Sequence, residues 1–300
     1  MAKLKHLKGY IFVILSAVIY GLMPLMAKYI YAEGVSAFSL VFLRNFISLP
    51  VLAILSVLNK QSLKISFREF SKISVIGIFG CLITPVLIFV SYNYIASGTA
   101  TVLHYIYPAI VIIISALFLK QKQSKTNIIS VAICIIGILL FYNPAEPINL
   151  KGGALALLSG ITFAIYVVLL SNFKNRKTTG FAFGFYISLA CSLVMLIICL
   201  ATNQLTLPKT LLGWGLTVLF AIAISVGAVV LFQQGTFIIG GEKASILATA
   251  EPITSVIAGA LIFSEALTFR TIFGTILVIL ASILIAISDI RKQKEKELSD

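Results

Sequence analysis

The chain has 300 residues, of which 60% are hydrophobic and only 11% charged. Soluble domains typically run at roughly 45–50% apolar with about a quarter of their residues charged, so a sizeable water-soluble domain is excluded. The formal charge of +13 calls first for a membrane explanation, and no nucleic-acid partner is expected.

A spanning helix needs about 20 apolar residues. Apolar runs predict spans at 9–30, 36–58, 72–95, 99–119, 126–143, 152–172, 180–201, 211–237, 243–264 and 269–288. The basic start, Lys3, Lys5 and Lys8, precedes an apolar run longer than the usual cleavable core, so that run reads as the first span. Several runs end at polar or breaker clusters: Glu33-Gly34, Asn59-Lys60-Gln61, Asn143-Pro144, Asn203-Gln204 and Gly240-Gly241. Separations are weakest at Ser97-Gly98 and between the eighth and ninth spans.

Charge orients the spans. With the N-terminus inside, 18 of the 23 basic residues fall on cytoplasmic segments. They are Lys3–Lys8, Lys60–Lys72, Lys120–Lys125, Lys174–Lys177, Lys243 and the tail from Arg291 to Lys296. The other side holds Lys28, Lys151, Lys209 and Arg270, and Arg44 lies within a span. Such an imbalance is what positive-inside insertion produces, and it requires an even helix count. A multi-pass protein of the plasma membrane with both termini cytoplasmic is expected. Cys81, Cys134, Cys191 and Cys199 fall inside spans with no CxxC pair, so neither a disulfide frame nor a metal or cofactor site is implied.

The chain also repeats itself. Phe12–Ile30 aligns with Leu155–Phe173, and Ser97–Pro108 with Gly241–Pro252, which places Pro108 on Pro252, Ala100 on Ala244 and Gln121 on Glu265. Five spans per half is an odd number, so the second half enters the membrane upside down. Equivalent loops then carry opposite charge: the basic loop 59–72 corresponds to 202–210, which holds only Lys209. The reading is an all-α integral membrane protein of ten transmembrane helices as two inverted five-helix repeats. The first repeat covers 7–143 and the second 150–290, with a cytoplasmic tail at 291–300. Inverted repeats characterise secondary transporters, because exchanging the conformations of the two halves exchanges the inward and outward openings.

At this point the residues resemble the ten-helix EamA-type permeases of the drug/metabolite transporter superfamily, over about residues 7–290. The resemblance rests on Pro108 and Pro252 in the fourth helix of each copy, the second preceded by Glu251. It rests also on Glu265, replaced by Gln121 in the first copy, and on Arg44 in the second helix. It implies a permease for small metabolites, often an exporter of amino acids, and leaves the substrate open.

Polar groups inside spans mark the candidate site, because charge in hydrocarbon is costly unless it faces a cavity or a partner. On one helix Thr101, His104 and Pro108 share a face, with Tyr107 beside them. Glu251 occupies the repeat position of Tyr107. The alternative is a structural histidine bonded to a neighbouring hydroxyl or carbonyl, and a carboxylate paired with Lys28 or Arg44. Arg44 itself reads as snorkelling to the outer surface. Softer candidates are Tyr20, Met23, Phe163 and Tyr166, and Phe89, Tyr92 and Asn93 with their repeat partners Gln233 and Thr236. Pro24, Pro108 and Pro252 are expected to kink their helices. Aromatics with a few amides suit a neutral or zwitterionic ligand. The ordinary histidine pKa, near 6.5, permits protons as a coupling partner. Monomer and homodimer both remain open.

Two function classes compete. A carrier for small metabolites such as amino acids comes first, with efflux of drugs or quaternary cations as the alternative within that class. An integral-membrane enzyme is the other class, and its chemistry is poorly supplied. Asp289 and Asp300 are the only aspartates, His6 and His104 cannot form HExxH, and neither GxSxG nor GxxxxGK[ST] occurs.

Overall fold

The computed structural model describes residues 2–95, 97–120, 123–140, 149–173, 178–254, 257–258 and 268–299. Asn143, Pro144, Gln121, Lys122, Glu265 and the basic cluster Lys174–Lys177 lie outside the described residues. Among the described residues every regular element is helical. Helices suit hydrocarbon: with no water present, a helix satisfies its backbone hydrogen bonds within its own segment.

Seven segments among the described residues are long and apolar enough to cross a membrane: His6–Ala32, Ala37–Leu58, Phe67–Ser91, Thr99–Leu117, Leu150–Ser171, Gly180–Ala201 and Leu211–Ile239. Lys125–Leu139 and Ile272–Ile285 are shorter apolar helices. Several segments are interrupted. The first divides into α1 (Ala2–Gly21) and α2 (Met23–Ala32), with Pro24 in the first turn of α2. Next come α3 (Ala37–Leu58) and α4 (Phe67–Gly77), which runs through a π-helical stretch, Ile78–Ile83, into α5 (Thr84–Ser91). α6 (Ser97–His104) ends at a turn, and α7 (Tyr107–Leu117) restarts with Pro108 in its first turn. α8 (Lys125–Leu139), α9 (Leu150–Ser171) and α10 (Gly180–Ala201) follow. α11 (Leu211–Ala221) continues through a second π stretch, Ile222–Ala228, into α12 (Val229–Ile239). α13 (Gly241–Leu247) tightens to a 3-10 turn at Ala248–Ala250 just before Pro252, and α14 is Phe269–Ser299. Between α12 and α13, Gly240 adopts φ 86°, a left-handed value open to glycine at no steric cost.

Local chemistry sets the helix starts. Ser36, Ser66, Ser124 and Thr210 each accept, through the side-chain oxygen, the N–H three residues on, and Asn149 accepts from Lys151 and Gly152. These caps satisfy N–H groups that the first helical turn leaves open.

The two halves of the chain place like elements at a nearly constant interval. α3 and α10 are both 22 residues long and begin 143 residues apart, and the two π stretches begin 144 apart. Packing follows the same exchange: α1 lies on α12 and α9 on α5, while α3 packs on α10 and α8 on α14. α3 and α10 run antiparallel. Ser36 and Ser39, at the start of α3, donate to the Gln204 carbonyl past the end of α10, each at 2.7 Å. At the other end the Gln61 side chain, past α3, accepts the Ala182 N–H at 3.0 Å in the first turn of α10. Tyr186 donates to the Leu63 carbonyl at the same end.

Loop contacts then fall into two sets. Thr178 donates to Glu69 at 2.6 Å, joining the 59–72 segment to the start of α10. Gln123 and Asn127 donate to the Glu242 carboxylate at 2.8 and 2.9 Å. In the other set, Thr210 donates to Glu33 at 2.9 Å, and the Lys151 ammonium stands 4.7 Å above the Tyr94 ring.

Candidate functional site

All of the helix interruptions but the second π stretch border one internal cavity of about 50 Å³. Tyr20 and Met23 reach it from the α1–α2 break, and Thr101, His104 and Tyr107 from the α6–α7 break. Gly80, Thr84, Pro85 and Ile88 come from the π stretch and α5, with Tyr92 just beyond. Arg44 enters from α3, Phe163 from α9, Phe232 from α12, and Ala248 and Glu251 from the 3-10 turn and the residue after it. At this volume the space holds a few waters, and a solute of amino-acid size enters only when the walls part.

Close backbone approach makes this possible. A Cβ on Gly160 of α9 would stand 2.5 Å from the His104 carbonyl oxygen, which is where α6 ends. A Cβ on Gly80 would stand 2.3 Å from the Tyr166 ring. Glycine at each position lets α9 press against a broken helix.

His104 Nδ1 lies 2.8 Å from Ser159 Oγ, whose proton is committed to the Ala156 carbonyl at 2.6 Å. The hydroxyl therefore accepts, Nδ1 carries the hydrogen, and Nε2 keeps the lone pair (a tautomer assigned from the hydrogen-bond network). The imidazole is walled by rings, with centroids 5.4 Å from Tyr107 and 5.5 Å from Phe163. Phe163 packs edge-on to Tyr107 at 4.7 Å and continues to Phe232 at 5.6 Å. Tyr107 donates to the Ser245 carbonyl at 3.1 Å, tying the two breaks together. Glu251 lies within electrostatic reach of Tyr20, Tyr92, Tyr105 and Tyr107.

Tyr20, Tyr92, Thr101, His104, Tyr107 and Glu251 thus share one cavity, with Met23 and Phe163. The other expected residues lie elsewhere. Asn93 is exposed in the turn after α5, because the helix ends at Ser91. Tyr166 is buried behind the wall, against Phe163 and Phe232, and Gln233 is fully buried beside Tyr166. Pro24, Pro108 and Pro252 stand at the interruptions without forming the wall. Thr101 and His104 reach the cavity from α6 and Tyr107 from α7, across the turn at Tyr105 and Ile106, while Pro108 in the first turn of α7 is not part of the lining.

Arg44 is corrected outright. It is 2% exposed and donates through Nη2 to the Cys81 carbonyl at 3.0 Å, so it points inward and does not snorkel. Sequence reasoning missed Gly80, Thr84, Pro85, Ile88, Phe232 and Ala248. Ala248 was within reach of the repeat, since it stands 144 residues from His104. The Thr84-Pro85 pair, a hydroxyl and a helix breaker inside an apolar run, was the other available signal.

Membrane-spanning helices broken around a buried polar and aromatic cavity define an integral membrane protein built to handle solutes. The chain belongs to the EamA-like transporter family, whose model matches residues 7–143 and again residues 150–287. It is 26% identical to an uncharacterized transporter of Archaeoglobus fulgidus, over 91% of this chain and 97% of that one. It is 22% identical to the uncharacterized inner membrane transporter YicL of Salmonella typhimurium, over 96% and 98%. It is 26% identical to the pseudopaline exporter CntI of Pseudomonas aeruginosa, over 92% and 94%. A solved crystal structure at 15% identity shares the fold with a TM-score of 0.75, covering 94% of this chain and 98% of that one.

Proposed function

We propose that the protein is a secondary carrier that exports small metabolites, amino acids first among the candidates, by alternating access. In this reading two inverted five-helix halves, residues 7–143 and 150–290, lie in the plasma membrane with both termini in the cytoplasm. The observation that carries it is the antiparallel pairing of α3 with α10, equivalent helices of equal length, beside a cavity walled by both halves. Antiparallel equivalents are what inversion requires, and a site between inverted halves is reached from either side as they rock. The two sets of loop contacts support the topology: each joins only segments that the charge distribution assigns to one face. Export is supported by the Pseudomonas aeruginosa relative, named as an exporter.

The test is flux in proteoliposomes. Purified protein is screened with radiolabelled metabolites, with and without a pH gradient. Saturable exchange of a metabolite across the bilayer supports the carrier reading, and leakage that never saturates favours a channel. Efflux of organic cations is the second reading. It is favoured by the Glu251 carboxylate standing among aromatic rings, an arrangement that attracts cations.

A further inference from the structure

We infer that Arg44 is the anion seat of the cavity: its guanidinium takes the carboxylate of the solute, while Glu251 takes a cationic group, so that the solute is amphoteric. This names the substrate class and rests on the carrier reading for its physiological meaning, though the binding claim stands on the geometry.

The seat begins with a proline. In an α-helical ladder the N–H four residues on from the Cys81 carbonyl belongs to Pro85, which has none. The Cys81 oxygen lies in the π stretch and accepts Arg44 Nη2 at 3.0 Å, with Asn45 Nδ2 at 3.4 Å. Asn45 is itself anchored to the Val41 carbonyl at 2.8 Å. The guanidinium is therefore clamped by one edge to backbone that packs against α3.

A guanidinium has five donors in a rigid fork. Among the described residues Arg44 makes one hydrogen bond to protein, its Nε has no partner, and the side chain forms part of the cavity wall. Among the described residues no carboxylate forms an ion pair with it. A buried cation with donors unmet is costly in hydrocarbon and persists where its charge is used. The complementary charge, Glu251, belongs to the same wall, and Tyr20 lies within electrostatic reach of both.

The two charges also break the exchange symmetry of the halves. The residue equivalent to Arg44 is Ile187, and the one equivalent to Glu251 is Tyr107. Neither charge is required by the architecture, since the other half is built without it. Each occurs once, on the wall of one cavity.

The experiment uses the full chain in nanodiscs and three probes sharing one phenyl ring, chosen because Tyr20, Phe163 and Phe232 form the wall. L-phenylalanine carries both charges, phenylacetate only the carboxylate, and 2-phenylethylamine only the ammonium. Affinities are measured by titration calorimetry at millimolar probe, with size-exclusion profiles to establish folding. Phenylalanine is expected to bind wild-type protein more tightly than either single-charge probe. Arg44→Gln is expected to weaken phenylalanine and phenylacetate by roughly 30-fold or more and leave phenylethylamine unchanged, with the reverse for Glu251→Gln.

Arg44→Lys retains the charge without the fork. Carboxylate binding intermediate between wild type and Arg44→Gln supports the seat, and serves alone where Arg44→Gln does not fold. The inference is overturned if folded variants bind both carboxylates as wild type does, or if wild type binds neither carboxylate. Arg44-dependent binding without exchange of radiolabelled phenylalanine in liposomes leaves the seat intact and removes the carrier reading. Exchange insensitive to Arg44 does the opposite.

Discussion

Ser159 Oγ stands 2.8 Å from Nδ1 of His104 and gives its own proton to the Ala156 carbonyl. One hydroxyl on α9 therefore chooses the tautomer of an imidazole on α6, and its partner nitrogen becomes an acceptor on the cavity wall. The pairing joins the structural and functional readings of His104: the ring is held by a neighbouring hydroxyl and contributes to the cavity.

His104→Ala is expected to lower transport while membrane abundance stays at the wild-type level, read by flux per molecule in proteoliposomes. Ser159→Ala leaves the imidazole in place and removes only its orienting acceptor. Its flux is expected to fall by about fivefold, the worth of a single neutral hydrogen bond. Equal, undiminished flux from both variants removes His104 from the site.

Glu251→Gln keeps the shape of the side chain and removes its charge. Flux is expected to drop by about tenfold or more, in line with the loss of a charged hydrogen bond. Abundance and melting behaviour stay near wild type if the carboxylate serves the solute rather than the fold. A collapsed melting transition with proportionate loss of abundance assigns Glu251 to structure instead.

Gly80 faces the Tyr166 ring so closely that a methyl group there would stand 2.3 Å from it. Gly80→Ala is expected to destabilise the protein by about 1–3 kcal/mol, the usual cost of overpacking a filled core. Adding Tyr166→Ala opens the space, so the double variant is expected to lose less than the sum of the single losses. Thermal unfolding in detergent of all four forms checks the coupling, and strict additivity contradicts the contact.

All four native cysteines are buried, so a membrane-impermeant maleimide reports introduced sites against a low background. Lys60→Cys is expected to label only from the cytoplasmic side and Lys209→Cys only from outside, in intact cells against inverted vesicles. Labelling of both from one side overturns the inverted arrangement.

Much of the architecture was legible from hydropathy and charge. The apolar runs mark the crossing helices, and breaker clusters such as Asn59-Lys60-Gln61 and Asn203-Gln204 fall at their ends. Lys60 and Asn203 both take left-handed φ, 55° and 52°, where α3 and α10 terminate. The π stretches were not legible, because Ile78–Ile83 and Ile222–Ala228 are as apolar as their flanks. Of the candidate site, His104 and Glu251 stood out because polarity in hydrocarbon demands a reason. Asn93 is exposed in the turn after α5 while its neighbour Tyr92 lines the cavity, a difference of one residue too fine for pattern reasoning to resolve.

By itself the sequence determined that the chain is a series of apolar helical segments, along with their charge bias and the weak echo of one half in the other. These properties add up residue by residue along the chain. Only the tertiary structure decided that Arg44 turns inward to the Cys81 carbonyl, and that Gln233 is buried behind the wall while Phe232 forms part of it. A soluble helix announces its buried face by an apolar stripe. A helix in lipid is apolar all round, because tails and core repel polar groups alike, so the inward face is set by packing against its neighbours.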